Sequence, residues 1–261
     1  MSDSLLISRD GPVTTLTLNR PAVRNAVDGA TMLALRDAVE ACAGDGTTRV
    51  IVLAGAGGAF CSGADLTLAA QPGISPEAAW RVLGDAYHPA LLAIHGSRWP
   101  VIAAVDGVAA GLGCDLALAC DMRLASARAQ FAELFIRVGL IPDGGGTWSL
   151  PRLVGLGRAL ELMYTGASVG ADEARAIGLA NQVYPAERFA AEVAAYAARL
   201  AEQAPLALTR IRQAARAAQE SSFAESLARE AALQREILTS ADGFEGFRAF
   251  LEKRRPRWQG E

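Results

Sequence analysis

The segment that most constrains this chain is residues 101–121. An apolar β-type run, 101–105, breaks at Asp106-Gly107, passes Gly111 and Gly113, and enters a second apolar segment holding one carboxylate, Asp115. The pattern predicts a strand, a glycine turn and a helix start. The first four N–H groups of a helix lack internal partners, so such a turn offers backbone donors to a ligand oxygen. A glycine-bent core connection with no ligand has the same signature. Asp115 sharpens the question, because an isolated carboxylate inside an apolar run is costly to bury.

Two further glycine crevices bracket this one. The apolar run 50–53 leads through Gly55, Gly57 and Gly58 into Ala59-Phe-Cys-Ser-Gly-Ala-Asp-Leu66, where Gly63 permits a bent backbone close to a ligand. Pro142-Asp-Gly-Gly-Gly-Thr-Trp148 is a helix-start loop. It lacks the Lys and Ser/Thr of a nucleotide-binding loop, and no dinucleotide fingerprint opens a βαβ unit.

The remaining elements are simpler. Residues 5–9 and 13–18 flank Asp10-Gly11 as a hairpin, and Asp28 caps a helix whose apolar positions Met32, Leu35, Val39 and Cys42 recur until Gly44. Residues 67–75 are expected to form a mobile loop. A helical stretch then runs from Pro76 to about Ser97, kinked at Pro89, with His88 and His95 seven residues apart on it. Such histidines are usually satisfied or solvent-facing, and a catalytic role is the minor alternative. Short strands follow at 122–125 and 129–132. Beyond residue 143 the pattern is almost all helical, around 148–165, 171–178, 186–203, 205–219, 223–239 and 243–252, with a short strand possible at 181–185. Alternating strands and helices through residue 125 predict an α/β layer with ligands near the strand C-termini.

Composition narrows the partners. With 51% hydrophobic and 20% charged residues in 261, the chain has the make-up of a globular protein. A net charge of -3, with no like-charge block longer than Lys253-Arg254-Arg255, argues against a nucleic-acid surface. No apolar run approaches a membrane span and no signal-type N-terminus is read, so a cytoplasmic protein is expected. Cys42, Cys61, Cys114 and Cys120 lack metal-pair spacing and read as buried thiols. Lys253 is the single lysine.

Taken together the motifs resemble the crotonase, or enoyl-CoA hydratase/isomerase, family. The resemblance runs from Asn19-Arg-Pro-Ala-Val-Arg-Asn-Ala26 through Phe60-Cys-Ser-Gly-Ala-Asp-Leu66, Pro100-Val-Ile-Ala-Ala-Val-Asp-Gly107, Gly111-Leu-Gly-Cys-Asp-Leu116 and Gly139-Leu-Ile-Pro-Asp-Gly-Gly-Gly-Thr147 to Ala249-Phe-Leu-Glu-Lys-Arg-Arg-Pro256. It implies an α/β fold: a ββα spiral core, assigned to residues 1–195, and a helical trimerisation region, 196–261. Trimers or dimers of trimers are expected. The implied substrate is an acyl-CoA thioester, with no cofactor beyond the coenzyme A that the substrate carries.

By motif matching, the resemblance places two backbone donors for the thioester oxygen at Ala64 and Leu112. Of the two glutamates that serve the hydratases, the first is replaced by Asp115 and the second by Phe135, which cannot transfer a proton. Asp143 instead matches the catalytic aspartate of isomerases of ring-opened phenylacetyl-CoA metabolism, in a Pro-Asp-x-Gly-Gly-Thr-Trp pattern followed here by Leu150-Pro-Arg-Leu153. The implied activity is enoyl-CoA double-bond isomerisation. The alternatives are hydration by an Asp115/Asp143 pair, a hydrolase like 4-chlorobenzoyl-CoA dehalogenase, disfavoured because Phe135 replaces its tryptophan, and a CoA-ester binder without chemistry. A plainer role for Asp143 is that of helix N-cap. Ala22 and Arg24, with Phe250 and Lys253 of a neighbouring subunit, are expected at the nucleotide of coenzyme A.

Overall fold

In the computed structural model, residues 4–69 and 75–260 are described. The expected hairpin is β1 (Leu5–Asp10) with β2 (Val13–Leu18), antiparallel about Gly11. A single 3₁₀ turn, Pro21–Val23, leads to α1 (Gly29–Gly44), whose cap Asp28 accepts a hydrogen bond from the Thr31 N–H as the sequence predicts. Met32, Leu35, Val39 and Cys42 are all buried. Then come β3 (Val50–Gly55) and the short α2 (Leu66–Ala69), which starts where a loop was expected; residues 70–74 of that loop lie outside the described residues.

The stretch from Pro76 divides into α3 (Pro76–Val82), a π-helical turn Leu83–Tyr87, and α4 (His88–His95). Pro89 explains the break. Without an N–H it cannot donate to the residue four back, and the ladder widens so that the His88 N–H reaches the Leu83 carbonyl.

The opening segment yields β4 (Val101–Val105), the unforeseen β5 (Val108–Ala110) and α5 (Leu112–Ala119). After β6 (Met122–Ser126) and β7 (Gln130–Ala132) comes a 3₁₀ turn, Leu134–Val138. The helix expected over 148–165 is two, α6 (Gly146–Val154) and α7 (Leu156–Thr165), parted at Gly155. A three-residue strand that the helical pattern hid, β8 (Ser168–Gly170), precedes α8 (Ala171–Ala176) and β9 (Gln182–Tyr184). The chain closes with α9 (Phe189–Ala201), α10 (Pro205–Ala218), α11 (Phe223–Leu238) and α12 (Ala241–Leu251).

Two sheets result. Six strands run β1-β2-β3-β4-β6-β9, parallel apart from the hairpin, and three run β5-β7-β8. β5 and β8 are too short to show a period in sequence, and they exist because β7 pairs with both. The large sheet is covered on both faces, as parallel sheets must be. Ile51, Leu53, Val101, Ala103 and Val105 face the main core with α1, α4 and α5, while Val50, Val52, Ile102 and Ala104 face Phe189, Val193, Ala197 and Ala201 of α9. α9 therefore spans the boundary expected at 195/196. All four cysteines are buried free thiols, and among the described residues no helix is long and apolar enough to cross a membrane.

Candidate active site

Three loops meet at the C-terminal ends of β3 and β4. The first follows β3. The Val27 N–H donates to the Gly63 carbonyl and the Asp65 N–H donates to the Val27 carbonyl, which leaves the Ala64 N–H between them out of this pairing. The second loop precedes α5, where Leu112 is the first helical residue and its N–H has no intrahelical acceptor. The two backbones touch at Gly63, whose φ is 112°. A Cβ there would stand 2.9 Å from the Ala110 carbonyl oxygen and 3.7 Å from the Leu112 nitrogen, so only glycine permits the approach. Cys61 is laced to Val108 and Ala110 from the other side. The donors expected at Ala64 and Leu112 are thus brought together on adjacent loops.

The third loop, before α6, is bound to the same place by Asp115. This carboxylate is fully buried, and its Oδ2 accepts from the Gly144 N–H at 2.9 Å. A Cβ on Gly144 would fall 2.6 Å from Asp115 Oδ2 and 2.8 Å from Leu112 Cδ1, and one on Gly146 2.4 Å from Asp115 Oδ1. The glycine run is therefore a steric requirement of seating this loop on α5. α6 is capped by Gly145 with no side-chain bond, which removes the N-cap role for Asp143.

Asp143 is half-buried at the head of this loop. Burial raises its pKa, opposed by the nearby charge of His88. His88 Nε2 lies 2.9 Å from the Asp143 carbonyl oxygen, and since that oxygen only accepts, Nε2 carries the proton. His95, two turns on, stacks edge-on against Trp148 with ring centroids 5.5 Å apart, and burial lowers its pKa. The seven-residue spacing of the histidines thus has a meaning that the sequence left open: both touch the 143–148 segment. Tyr87, from the π turn, donates to the Val27 carbonyl at 3.2 Å. Its phenol is pushed up to about 12 by burial and by the surrounding Asp28, Asp143 and Asp65 carboxylates.

The position expected to hold a second acid is apolar: Phe135 is buried, and a Cβ on Gly111 would sit 3.9 Å from its ring. Two residues earlier stands a carboxylate that was passed over, Glu133. It is 2% exposed, and among the described residues the donor beside its oxygens is the weakly donating Cys114 thiol. Burial pushes it up to about 7, and burial with Glu133 beside it also raises Asp115. The available signal was a lone carboxylate after the apolar Phe131-Ala132 pair, the same kind that drew attention to Asp115.

Other expected site residues separate into two places. Arg24, with φ 52°, and Ala22 are exposed on the 3₁₀ turn, and the Arg24 carbonyl accepts from the Ser62 N–H, so this turn flanks the Ala64 loop. Two missed residues fix it there. Arg20 donates to the Ala26 carbonyl and Asp65, and the buried Asn25 donates to the Ala56 and Ala59 carbonyls. Phe250 and Lys253 are exposed at the end of α12, which packs on α11, and within one chain they are not brought to the three loops.

The two-sheet α/β core thus brings the Ala64, Leu112, Asp115 and Asp143 positions onto three adjoining loops. The chain belongs to the enoyl-CoA hydratase/isomerase family, whose description matches residues 8–261. It is 43% identical, over 94% of its length and 93% of the other's, to a Rhodobacter capsulatus protein named "Probable enoyl-CoA hydratase". It is 37% identical over the full length of both chains to the 1,2-epoxyphenylacetyl-CoA isomerase of Escherichia coli. The crystal structure of an enoyl-CoA hydratase from Bacillus anthracis superposes with a TM-score of 0.95 at 32% identity, covering 99% of this chain and 100% of that one. The expected crotonase fold is present, and the protein is an enzyme acting on CoA thioesters.

Proposed function

We propose that the enzyme isomerises enoyl-CoA double bonds, with Asp143 as the proton carrier. In a 3-enoyl-CoA the thioester oxygen accepts from the Ala64 and Leu112 N–H groups, which makes the C2 proton acidic. The Asp143 carboxylate takes that proton, the electron pair delocalises into a dienolate held by the two donors, and the same carboxyl returns the proton at C4. The product is the conjugated 2-enoyl-CoA, and the acid is regenerated as carboxylate. Each preorganised donor to such an oxyanion typically contributes about 3–4 kcal/mol.

The observation that carries this proposal is the asymmetry of the carboxylates. Asp143 is half-buried, Asp115 is 0% exposed and tied to Gly144, and Phe135 fills the other acid position. One accessible carboxyl suffices for a 1,3-proton transfer, whereas hydration needs a second group to activate water. Hydration by an Asp115/Asp143 pair is the second reading, favoured by the hydratase names among the relatives. Asp143→Ala is expected to lower turnover of 3-enoyl-CoA by about 10²–10⁴-fold while leaving CoA-ester binding intact; full activity would remove the assignment. Incubating the wild type with 2-enoyl- and 3-enoyl-CoA in deuterated water separates the two reactions, since isomerisation yields an enoyl product and hydration a 3-hydroxyacyl product.

The same proposal puts Ala22 and Arg24 at the coenzyme A phosphates and adenine, joined by Phe250 and Lys253 from a neighbouring subunit of a trimer or hexamer in the cytoplasm. Residues 196–261 would supply the trimer contacts. No cofactor is needed beyond the substrate's own coenzyme A. CoA-ester affinity should fall on dilution to single chains, and constant affinity would separate Phe250 and Lys253 from the nucleotide.

A further inference from the structure

We propose that Glu133 is a positioning residue that shares one proton with Asp115, so that the pair carries a single negative charge beneath the Asp143 loop that Asp115 holds. The two groups are 2% and 0% exposed. Three of their four oxygens, Asp115 Oδ1 and both of Glu133, lack a well-formed hydrogen bond among the described residues, the nearest donors being the Gly146 N–H and the weakly donating Cys114 thiol. One point beside the Gly146 backbone, where a Cβ would stand, is 2.4 Å from Asp115 Oδ1 and 3.2 Å from Glu133 Oε1. The orphaned oxygens therefore face the same space.

Among the described residues no cationic side chain lies beside the pair. The titratable neighbours of Glu133 are Cys114 and Asp115 of α5 and Asp143 of the glycine loop. Behind it a cavity of about 10 Å³ is walled by apolar side chains, among them Phe131, Leu150, Leu162 and Val169. Two bare carboxylates cannot persist there, because a buried charge must be paired or neutralised. One proton solves both problems, turning an acceptor into a donor aimed at an orphaned acceptor. Burial and the neighbouring Glu133 raise Asp115 well above the usual carboxylate range even with the Gly144 N–H against it, so neither carboxyl holds the proton alone. The arrangement leaves Asp115 Oδ2 accepting from the loop N–H, which keeps Asp143 in register with Leu112. It also limits the pair to one negative charge near Asp143.

The proposal rests on Asp143 as proton carrier only for its kinetic arm, so the test has two arms. In the resting enzyme near pH 6, infrared difference spectroscopy should show a protonated carboxyl band that Glu133→Gln removes and Asp143→Asn leaves in place. Absence of that band, or its survival in Glu133→Gln, overturns the shared proton whatever Asp143 does. In the kinetic arm, Glu133→Gln keeps a neutral donor to Asp115 and should hold kcat within about threefold, with the decline above neutral pH abolished. Glu133→Met fills the space without a donor and should lower kcat about tenfold with little change in KM, the size expected for losing one charge-assisted hydrogen bond. Equal kcat in the Gln and Met variants, or a wild-type decline that Gln leaves in place, would mean that Glu133 is only filler.

Discussion

α5 and α11 were equally legible as helices, yet every residue of α5 is buried and none of α11 is. α5 is enclosed by its own chain, between the large sheet, α4, α6 and the glycine loop. α11 pairs with α10, through an Arg210–Glu236 ion pair among other contacts, and leaves Phe223 80% and Leu227 49% exposed. The difference separates two kinds of apolar helix. One is apolar because this chain buries it, and the other carries apolar side chains that one chain does not bury. Substitutions should therefore act on folding around α5 and on association around α11.

The largest expected stability effect lies beside α5. Gly146→Ala would place a methyl 2.4 Å from Asp115 Oδ1 and 3.3 Å from the Pro142 Cβ, neither of which is a free flexible end. The change should cost about 3 kcal/mol, the upper part of the range for overpacking a tight site, and displace the Asp143 loop. Chemical denaturation and turnover should fall together. Retained stability would show that the loop is not seated on Asp115 as described.

A comparable but pH-dependent effect follows from Glu133. Its folded-state pKa is raised from 4.5 to about 7, so the folded protein holds this proton more tightly than the unfolded chain. Its contribution to stability is complete below about 4.5 and is lost as pH rises through about 7. The loss is bounded at about 3 kcal/mol by the size of the shift. Melting temperature should therefore drop more steeply between pH 5 and pH 8 (roughly the window spanned by the shift) in the wild type than in Glu133→Gln. Parallel curves would place the titration elsewhere.

On α11 the expectation reverses. Phe223→Ser removes an exposed ring and should change the stability of a single chain by no more than about 0.5 kcal/mol. If that face covers another copy, sedimentation velocity should show a shift to smaller species at the same concentration. An unchanged distribution would assign the exposed phenylalanine to solvent.

How much of this was legible depended on whether partners were local. Asp28 capping α1, the hairpin about Gly11 and the buried face of α1 are set within a few residues, and the sequence predicted each. β5 and β8 were not, because three residues carry no period and their pairing with β7 comes from distant chain. The break at Gly155 is local, a glycine at φ 80° that ends α6 and starts α7, yet the apolar spacing runs on across it and hid it in one helical pattern. In the site, glycine spacing pointed to the loops at Ala64, Leu112 and Asp143, since glycine is where backbones approach. Glu133 was missed because its importance comes from facing Asp115, eighteen positions earlier in the chain and on another element.

A change of opposite sign tests whether glycine near the site always signals close approach. Gly157, in the first turn of α7, is exposed, has ordinary helical backbone, and a Cβ there would meet nothing within 4 Å. Gly146, eleven residues earlier, also opens a helix, but it stands in the glycine run that the sequence marks as a site loop, whereas Gly157 stands outside it. Alanine has the higher helix propensity and restricts the unfolded chain, so Gly157→Ala should stabilise by about 0.4–1 kcal/mol. Activity should be unchanged, because nothing in the three loops touches the position. A melting temperature that fell instead would mean that α7 is covered here in the working enzyme, which would extend the buried character of α5 outward to a surface that one chain leaves open.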